Sequence, residues 1–163
     1  MRKAIISFIV TILCFVNIYS VHYIFITEIK DSSLIAAFGA AAVLSFSNLK
    51  KTLSTKIIFI GSIIGALIGV SSNILIGNIT IAIIVSISLS VFVMQLLKIN
   101  YPPGGAIAII PIIADKGLQD LEYLFVFFPV VTGITSIVLF SKIQIYINYK
   151  SNQLWPLKKQ SKL

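Results

Sequence analysis

The sequence predicts an all-α membrane protein with six membrane segments, four long and two short or broken, arranged as a 3+3 inverted repeat. Three observations predict it. Hydrophobic residues make up 58% of the 163 and charged residues only 11%, with a mean hydropathy of +1.03, whereas a soluble domain is about 25% charged. The apolar residues fall in uninterrupted runs of the length that crosses the ~30 Å hydrocarbon core of a bilayer. The two runs that are too short or too broken for that occupy matching places in the two halves of the chain, an arrangement common in transporters.

The first run, 4–27, follows Met-Arg-Lys and has the outline of a secretory leader. A leader's apolar stretch is about 7 to 15 residues long and ends at a small-x-small cleavage site. This run is longer and has no such site, so it reads as a retained first span. Cys14, the sole cysteine, excludes an internal disulfide and a cysteine-based zinc site and reads as a small buried filler. Leu13 before it is too large for a lipoprotein box. Asn17 and His22, five residues apart, are expected on different faces. His22 reads as a hydrogen-bonding or interface residue rather than a proton carrier.

The second run, 32–49, is uncharged and rich in small residues around Phe38, Gly39 and Ala40. The third, 57–76, places Gly61, Gly65 and Gly69 four apart on one helix face, the spacing of a close helix contact within the chain or between two copies. In the fourth, 79–97, Ser88 and Gln95, with Lys98 just beyond, fall near one face. Gln95 reads equally as a pore-lining or a helix-bridging residue. Lys98 reads as a snorkelling cation at the membrane edge or as a cation that concentrates anions beside a path.

The fifth run, 99–114, carries the most specific feature, Tyr101-Pro102-Pro103-Gly104-Gly105-Ala106. Proline begins a helix well, so an extended Asn100-Tyr101 lead-in and a helix from Pro102 or Pro103 are expected. About 12 residues remain, or ~18 Å, too short for the bilayer, which puts one helix end inside the membrane or in a cavity. If that end is the amino terminus, its N–H groups and partial positive charge favour an anion, and Gly104 and Gly105 let it approach the backbone. Phe38, Gly39 and Ala40 would supply a second such terminus. The plainer alternative is that these small residues only pack helices. The sixth run, 123–141, is again uncharged.

Lys and Arg orient the chain, since they stay on the cytoplasmic side of short loops. With six crossings, eleven of the thirteen basic residues fall on the cytoplasmic side or its rim and only Lys30 and Lys116 fall outside. Residues 28–31 and 115–122 are then external. Lys50, Lys51 and Lys56 are internal, as is the basic tail 151–163, where Trp155, Lys158 and Lys159 suit the inner interface. Residues 1–150 form a single transmembrane domain, with repeats 4–76 and 79–147. Both termini are cytoplasmic, in the inner membrane of a bacterium.

What the sequence lacks narrows its function. One His, one Cys and no carboxylate within a long span leave no metal cluster, nucleophile triad or acid/base pair, so an enzyme is not expected. No cofactor is expected, no Walker motif binds ATP, and no basic domain is set aside for nucleic acid. No intramembrane carboxylate is available to carry a proton or hold sodium.

The stretch 33–46, the glycine-bearing span after it and, above all, INYPPGGAIAIIPIIA resemble the HPP family of integral membrane proteins. That family is named for a His-Pro-Pro motif followed by small residues and an apolar helix. The resemblance covers roughly residues 32–140. Pro102 and Pro103 match the motif directly and Gly104 to Ala108 match the small stretch, while Tyr101 stands where the family has His. Members in chloroplasts and cyanobacteria are associated with nitrite transport, so the resemblance implies a small-anion permease. Tyr keeps a donor but lacks the cationic form that His reaches near neutral pH.

The resulting expectation is a permease or channel for a small monovalent anion, nitrite first. Its partners are a small inorganic anion, the lipid bilayer and other copies of the chain. Tyr101, Pro102, Pro103, Gly104, Gly105 and Ala106 would bind the ion with Phe38, Gly39, Ala40, Gln95 and Lys98. The competing readings are a membrane scaffold or accessory subunit, whose small residues only pack, and a transporter of a small neutral solute.

Overall fold

The computed structural model describes residues 2–25, 32–47 and 54–160, with side chains described for 3–23, 34–46 and 54–150. The expected external loop 28–31, Lys50, Lys51 and the side chains of the basic tail therefore lie outside the described residues.

The described chain is helical throughout, with no strand among the described residues. Its elements are α1 (Arg2–Phe25), α2 (Ser32–Ser47), α3 (Thr55–Leu75), α4 (Ile79–Leu96), α5 (Pro102–Ile113), the single turn α6 (Lys116–Gln119) and α7 (Thr132–Gln160), the last entered through a kinked turn at Val126–Val131. Four stretches are long and apolar enough to cross a membrane: Lys3–Tyr23, Thr55–Leu75, Ile79–Leu96 and Val126–Lys150. Leu34–Phe46 and Pro102–Ile113 are apolar but shorter. Four long and two short segments are thus present as the sequence predicts.

The sixth segment departs from its expected continuity. Phe128 is extended (φ −136°, ψ 118°), and the peptide joining it to Pro129 is cis. A proline inside a helix removes a donor and clashes with the turn before it, so residues 123–141 form a bent entry and a helix rather than one straight span.

Helix directions follow from which residues face one another. Along α3, Gly61 faces Tyr101, Gly65 faces Gly104 and Gly69 faces Ala108, so α3 and α5 run parallel. Along α7, Gly133 faces Phe38, while the Ser141 hydroxyl donates to the Ser45 carbonyl at 3.2 Å and Gln144 Nε2 donates to the Phe46 carbonyl at 3.2 Å, so α2 and α7 are parallel too. Helix α1 runs antiparallel to α7, joined by His22 to Thr132, Asn17 to Ser136 and Ser7 to Gln144. Helix α4 runs antiparallel to α5: the Ser86 hydroxyl donates to the Ala108 carbonyl at 2.9 Å, and Met94 reaches Gly104.

The core lies among α2, α3, α5 and α7, where Phe38, Ala41, Ala66, Ile107, Ile134 and Ile137 are buried. On the periphery, α1 exposes Phe8, Ile12 and Val16, and α4 exposes Ile84, Val91 and Phe92. In water such surfaces would be a liability, but in lipid they are the expected outer face.

Expected and observed positions can be compared directly for the polar residues of α1. Asn17 and His22 both face α7, not different faces as their spacing suggests. The His22 ring lies 3.2 Å from the Thr132 hydroxyl. That hydroxyl also reaches the Pro129 carbonyl, at 3.0 Å. The Ser136 hydroxyl donates to Asn17 Oδ1 at 3.1 Å. The long side chains reach α7 from either flank of the α1 contact. Cys14 is fully buried.

Candidate functional site

The site is built by the shortness of α5. At 1.5 Å per residue its 12 residues extend about 18 Å, against about 32 Å for the 21 residues of α3. Tyr101, the residue before α5, stands level with Gly61, six residues past the start of α3, so α5 begins about 9 Å along its parallel neighbour. Beneath that amino end lies a cavity of about 540 Å³, walled by the end of α4 and the lead-in to α5.

Each wall residue is placed by a local cause. Helix α4 ends in a Schellman motif, in which Ile99 N–H donates to the Met94 carbonyl at 2.8 Å and Lys98 N–H to the Gln95 carbonyl at 3.0 Å. The residue turned left-handed in that motif is usually glycine, but here it is Lys98, with φ 54°. Lysine holds that conformation at a cost that glycine does not bear. Gln95 stands one turn earlier and Asn100 two residues later; both are exposed into the same recess with Lys98. No carboxylate stands in this wall.

The backbone does not act as the sequence suggests. Pro102 and Pro103 have no N–H, and Gly104 N–H donates to the Tyr101 carbonyl at 3.0 Å. The two prolines remove two of the donors that a helix start otherwise leaves open, and the polar side chains in the recess wall are those of Lys98, Gln95 and Asn100.

Of the expected residues, Gln95, Lys98, Tyr101, Pro102 and Gly105 line the recess. A Cβ at Gly105 would stand in open space. Gly104 instead faces the Gly61 carbonyl and Met94, and Pro103 is buried. Neither these two nor Ala106 belongs to the recess wall. Tyr101 is only 1% exposed, with its ring against Gly61. Its hydroxyl lies toward Ser62, whose own hydroxyl donates to the Ile58 carbonyl at 2.8 Å, and among the described residues the phenol has no hydrogen-bond partner.

Phe38, Gly39 and Ala40 are not at a helix start. They lie in the second and third turns of α2, which begins at Ser32 because no proline interrupts it. Phe38 is fully buried, stacked 6.1 Å from the His22 ring and packed on Gly133. Gly39 lines a separate, mainly apolar groove between α1 and α2. The expected second helix terminus at these residues is therefore corrected: Phe38 packs α2 against its neighbours, while Gly39 faces open space and Ala40 is exposed. Ser88 is likewise exposed and outside the recess wall.

Sequence reasoning missed Ser86 and Ser90. Both are fully buried, and with Ala82 and Met94 they form the four-residue stripe that α4 turns toward α5. The spacing of that stripe was the available signal. Among the described residues, no cluster of His, Cys, Asp or Glu could hold a metal ion.

Four long apolar helices and two shorter ones, with a recess at the break between α4 and α5, define an α-helical integral membrane protein. The family model for the HPP transmembrane region matches residues 1–154, and the chain belongs to that family. It is also similar to a transmembrane protein of Dictyostelium discoideum, at 26% identity over 142 residues, covering 84% of this chain and 49% of the relative. The chain thus spans about half the length of that curated relative. No solved structure matches it.

Proposed function

We propose that the protein is a permease or channel for a small monovalent anion, with nitrite as the first candidate. The observation that carries this reading is the recess beneath α5, where Lys98 supplies positive charge, Gln95 and Asn100 supply amide groups, and no carboxylate lines the wall. A cation beside a cleft with low-dielectric walls raises the local concentration of anions. The partial positive charge of the α5 amino end acts in the same direction.

The reading includes a 3+3 inverted repeat that pairs α1 with α4, α2 with α5 and α3 with α7. What supports it is the agreement of neighbours under that exchange. Helix α3 packs on α5 as α7 packs on α2, α3 on α4 as α7 on α1, and α4 on α5 as α1 on α2. Directions agree too, since α3 with α5 and α2 with α7 are the two parallel pairs. The reading also places the recess and both termini on the cytoplasmic side of a bacterial inner membrane, by the excess of Lys and Arg at that end. It assigns the chain no catalytic role and has it act as a homo-oligomer.

The test is nitrite flux into proteoliposomes. Wild-type protein is expected to carry nitrite faster than empty vesicles do. Lys98→Gln should slow the flux, and Gly105→Leu, which fills open space in the recess wall, should block it. Flux equal to empty vesicles, or unchanged by both substitutions, refutes the reading.

A second reading, a scaffold or accessory subunit, is favoured by the use of Gly61, Gly65, Gly69 and Gly104 in packing rather than at a ligand. Its mark would be a fixed partner that co-purifies, with no anion-dependent thermal shift.

A further inference from the structure

A second cavity, of about 260 Å³, lies where the end of α2, the start of α3 and the middle of α7 meet. Its polar wall is Ser45, Ser54, Thr55, Ser141 and Lys142. None of these residues belongs to the recess beneath α5.

Helix α3 presents its amino end here. Ser54 precedes it with extended backbone (φ −54°, ψ 132°), and its side chain makes no capping hydrogen bond. The first amides engaged are Ile57 and Ile58, both donating to the Ser54 carbonyl, at 2.9 and 3.2 Å. The N–H groups of Thr55 and Lys56 therefore have no partner among the described residues, in contrast to the proline-blocked start of α5. A helix start with open amides favours an anion.

An independent observation points the same way. Ser45, in the cavity wall, is 6% exposed and its hydroxyl has no hydrogen-bond partner among the described residues. A buried hydroxyl left unpaired is costly, and an anion in the cavity would give it an acceptor. Lys142 supplies a full positive charge from α7. The described carboxylates, Asp115, Asp120 and Glu122, all follow α5 and so lie at the opposite end of the bundle.

From this arrangement we propose that the amino end of α3, with Ser45, Ser54 and Lys142, forms an oxyanion site separate from the Lys98 recess. Its ligand is a phosphate-type group, either a free ion or the phosphodiester of an anionic lipid headgroup reaching in from the membrane edge. The site is independent of the transport reading, and binding there would tie α2, α3 and α7 together.

The test uses the full chain, delipidated in a nonionic sugar detergent. One arm titrates inorganic phosphate by calorimetry, and the other adds phosphatidylglycerol back and measures by native mass spectrometry how much stays bound. Two variants probe the site. Lys142→Gln removes the charge from an exposed side chain. Thr55→Pro removes one open amide at the first helical position, where proline is tolerated, and the Ser54 backbone already has the ψ that a following proline requires. Each variant should weaken phosphate binding or lipid retention at least tenfold, with helix content and elution unchanged, while Lys98→Gln leaves both intact. The arm that responds identifies the source of the phosphate group. The proposal is overturned if wild type binds neither probe, if Lys142→Gln binds as wild type does, or if only Lys98→Gln loses binding.

Discussion

Adding one methyl group to α3 at Gly65 should separate it from α5, while adding one to α5 at Gly105 should not. At Gly65 a Cβ would be driven into the carbonyl group of Gly104, and at Gly69 into that of Ala108. The obstruction is helix backbone, which cannot rotate away as a side chain would, so the two helices must move apart along their whole contact. Overpacking of this kind costs about 1–3 kcal/mol, and replacing glycine by alanine in a helix returns up to about 1 kcal/mol. With rigid backbone on both sides the upper part of the range applies, leaving a net loss of about 2 kcal/mol for Gly65→Ala. For a chain of this size that corresponds to a fall in Tm of roughly 4–8 °C. Gly105→Ala makes the same chemical change where nothing lies within 4 Å, so only the propensity gain remains and Tm should stay level or rise by about 2–4 °C. Thermal melting of the purified protein, followed by circular dichroism in one detergent, compares the two directly. A Gly65→Ala protein that melts at or above wild type would refute the close approach of α3 and α5, and with it the depth assigned to Tyr101.

Lys98→Gly should raise stability by about 1 kcal/mol, because glycine accepts the left-handed backbone that lysine holds at a cost, while nitrite flux in proteoliposomes falls. A rise in both, or a fall in both, would break the link between strain and charge at this residue. Ser86→Ala removes a hydroxyl from the Ala108 carbonyl and should cost about 0.6 kcal/mol, the average for such bonds between membrane helices. Ser88→Ala should be neutral in the same melting assay, and equal effects would mean that α4 is rotated. Reporter tags after Lys51 and after Lys116 should read opposite sides of the membrane, the first cytoplasmic; two tags on one side would remove the six-crossing topology.

The number and lengths of the segments were legible in the sequence because they depend on apolar run length, which tolerates changes in packing. The glycine face of α3 was legible for the same kind of reason: three residues four apart can only form one stripe. The start of α5 was legible from Pro102 and Pro103, but its consequence was not drawn correctly. The residues that announce a helix start are the residue type without an N–H, so Pro102 and Pro103 offer none of the amides expected there, and the Gly104 N–H is engaged by the Tyr101 carbonyl. Phe38 to Ala40 misled for a different reason. Small residues suggest close approach, but here Gly39 faces open space and Ala40 is exposed, and the close approach is made by the large residue beside them, Phe38, against Gly133. Pro129 was passed over because the run around it is uniformly apolar, and hydropathy does not register a bend. Ser45 and Ser141 carried no signal at all, since their meeting depends on α2 and α7 lying parallel, a long-range fact that no local pattern contains.

Parallel pairing of α3 with α5 has a further consequence for where charge can act. Because the two helices begin at the same end of the bundle, both cavities described above open toward that end, one below the late start of α5 and the other beside the start of α3. Lys98 and Lys142 stand in their walls, and the described carboxylates lie beyond the far end of α5. Charges on opposite sides of a hydrocarbon layer are separated by about 30 Å, several times the ~8 Å screening length of physiological salt, so the acidic end does little to cancel the basic one. The field at the two cavities is therefore set by nearby lysines and helix starts. If the cavities act independently, neutralising Lys98 should leave anion affinity at the Lys142 cavity unchanged, and neutralising Lys142 should leave that at the Lys98 recess unchanged; a single substitution that weakens binding at both would mean that one ion is shared between them.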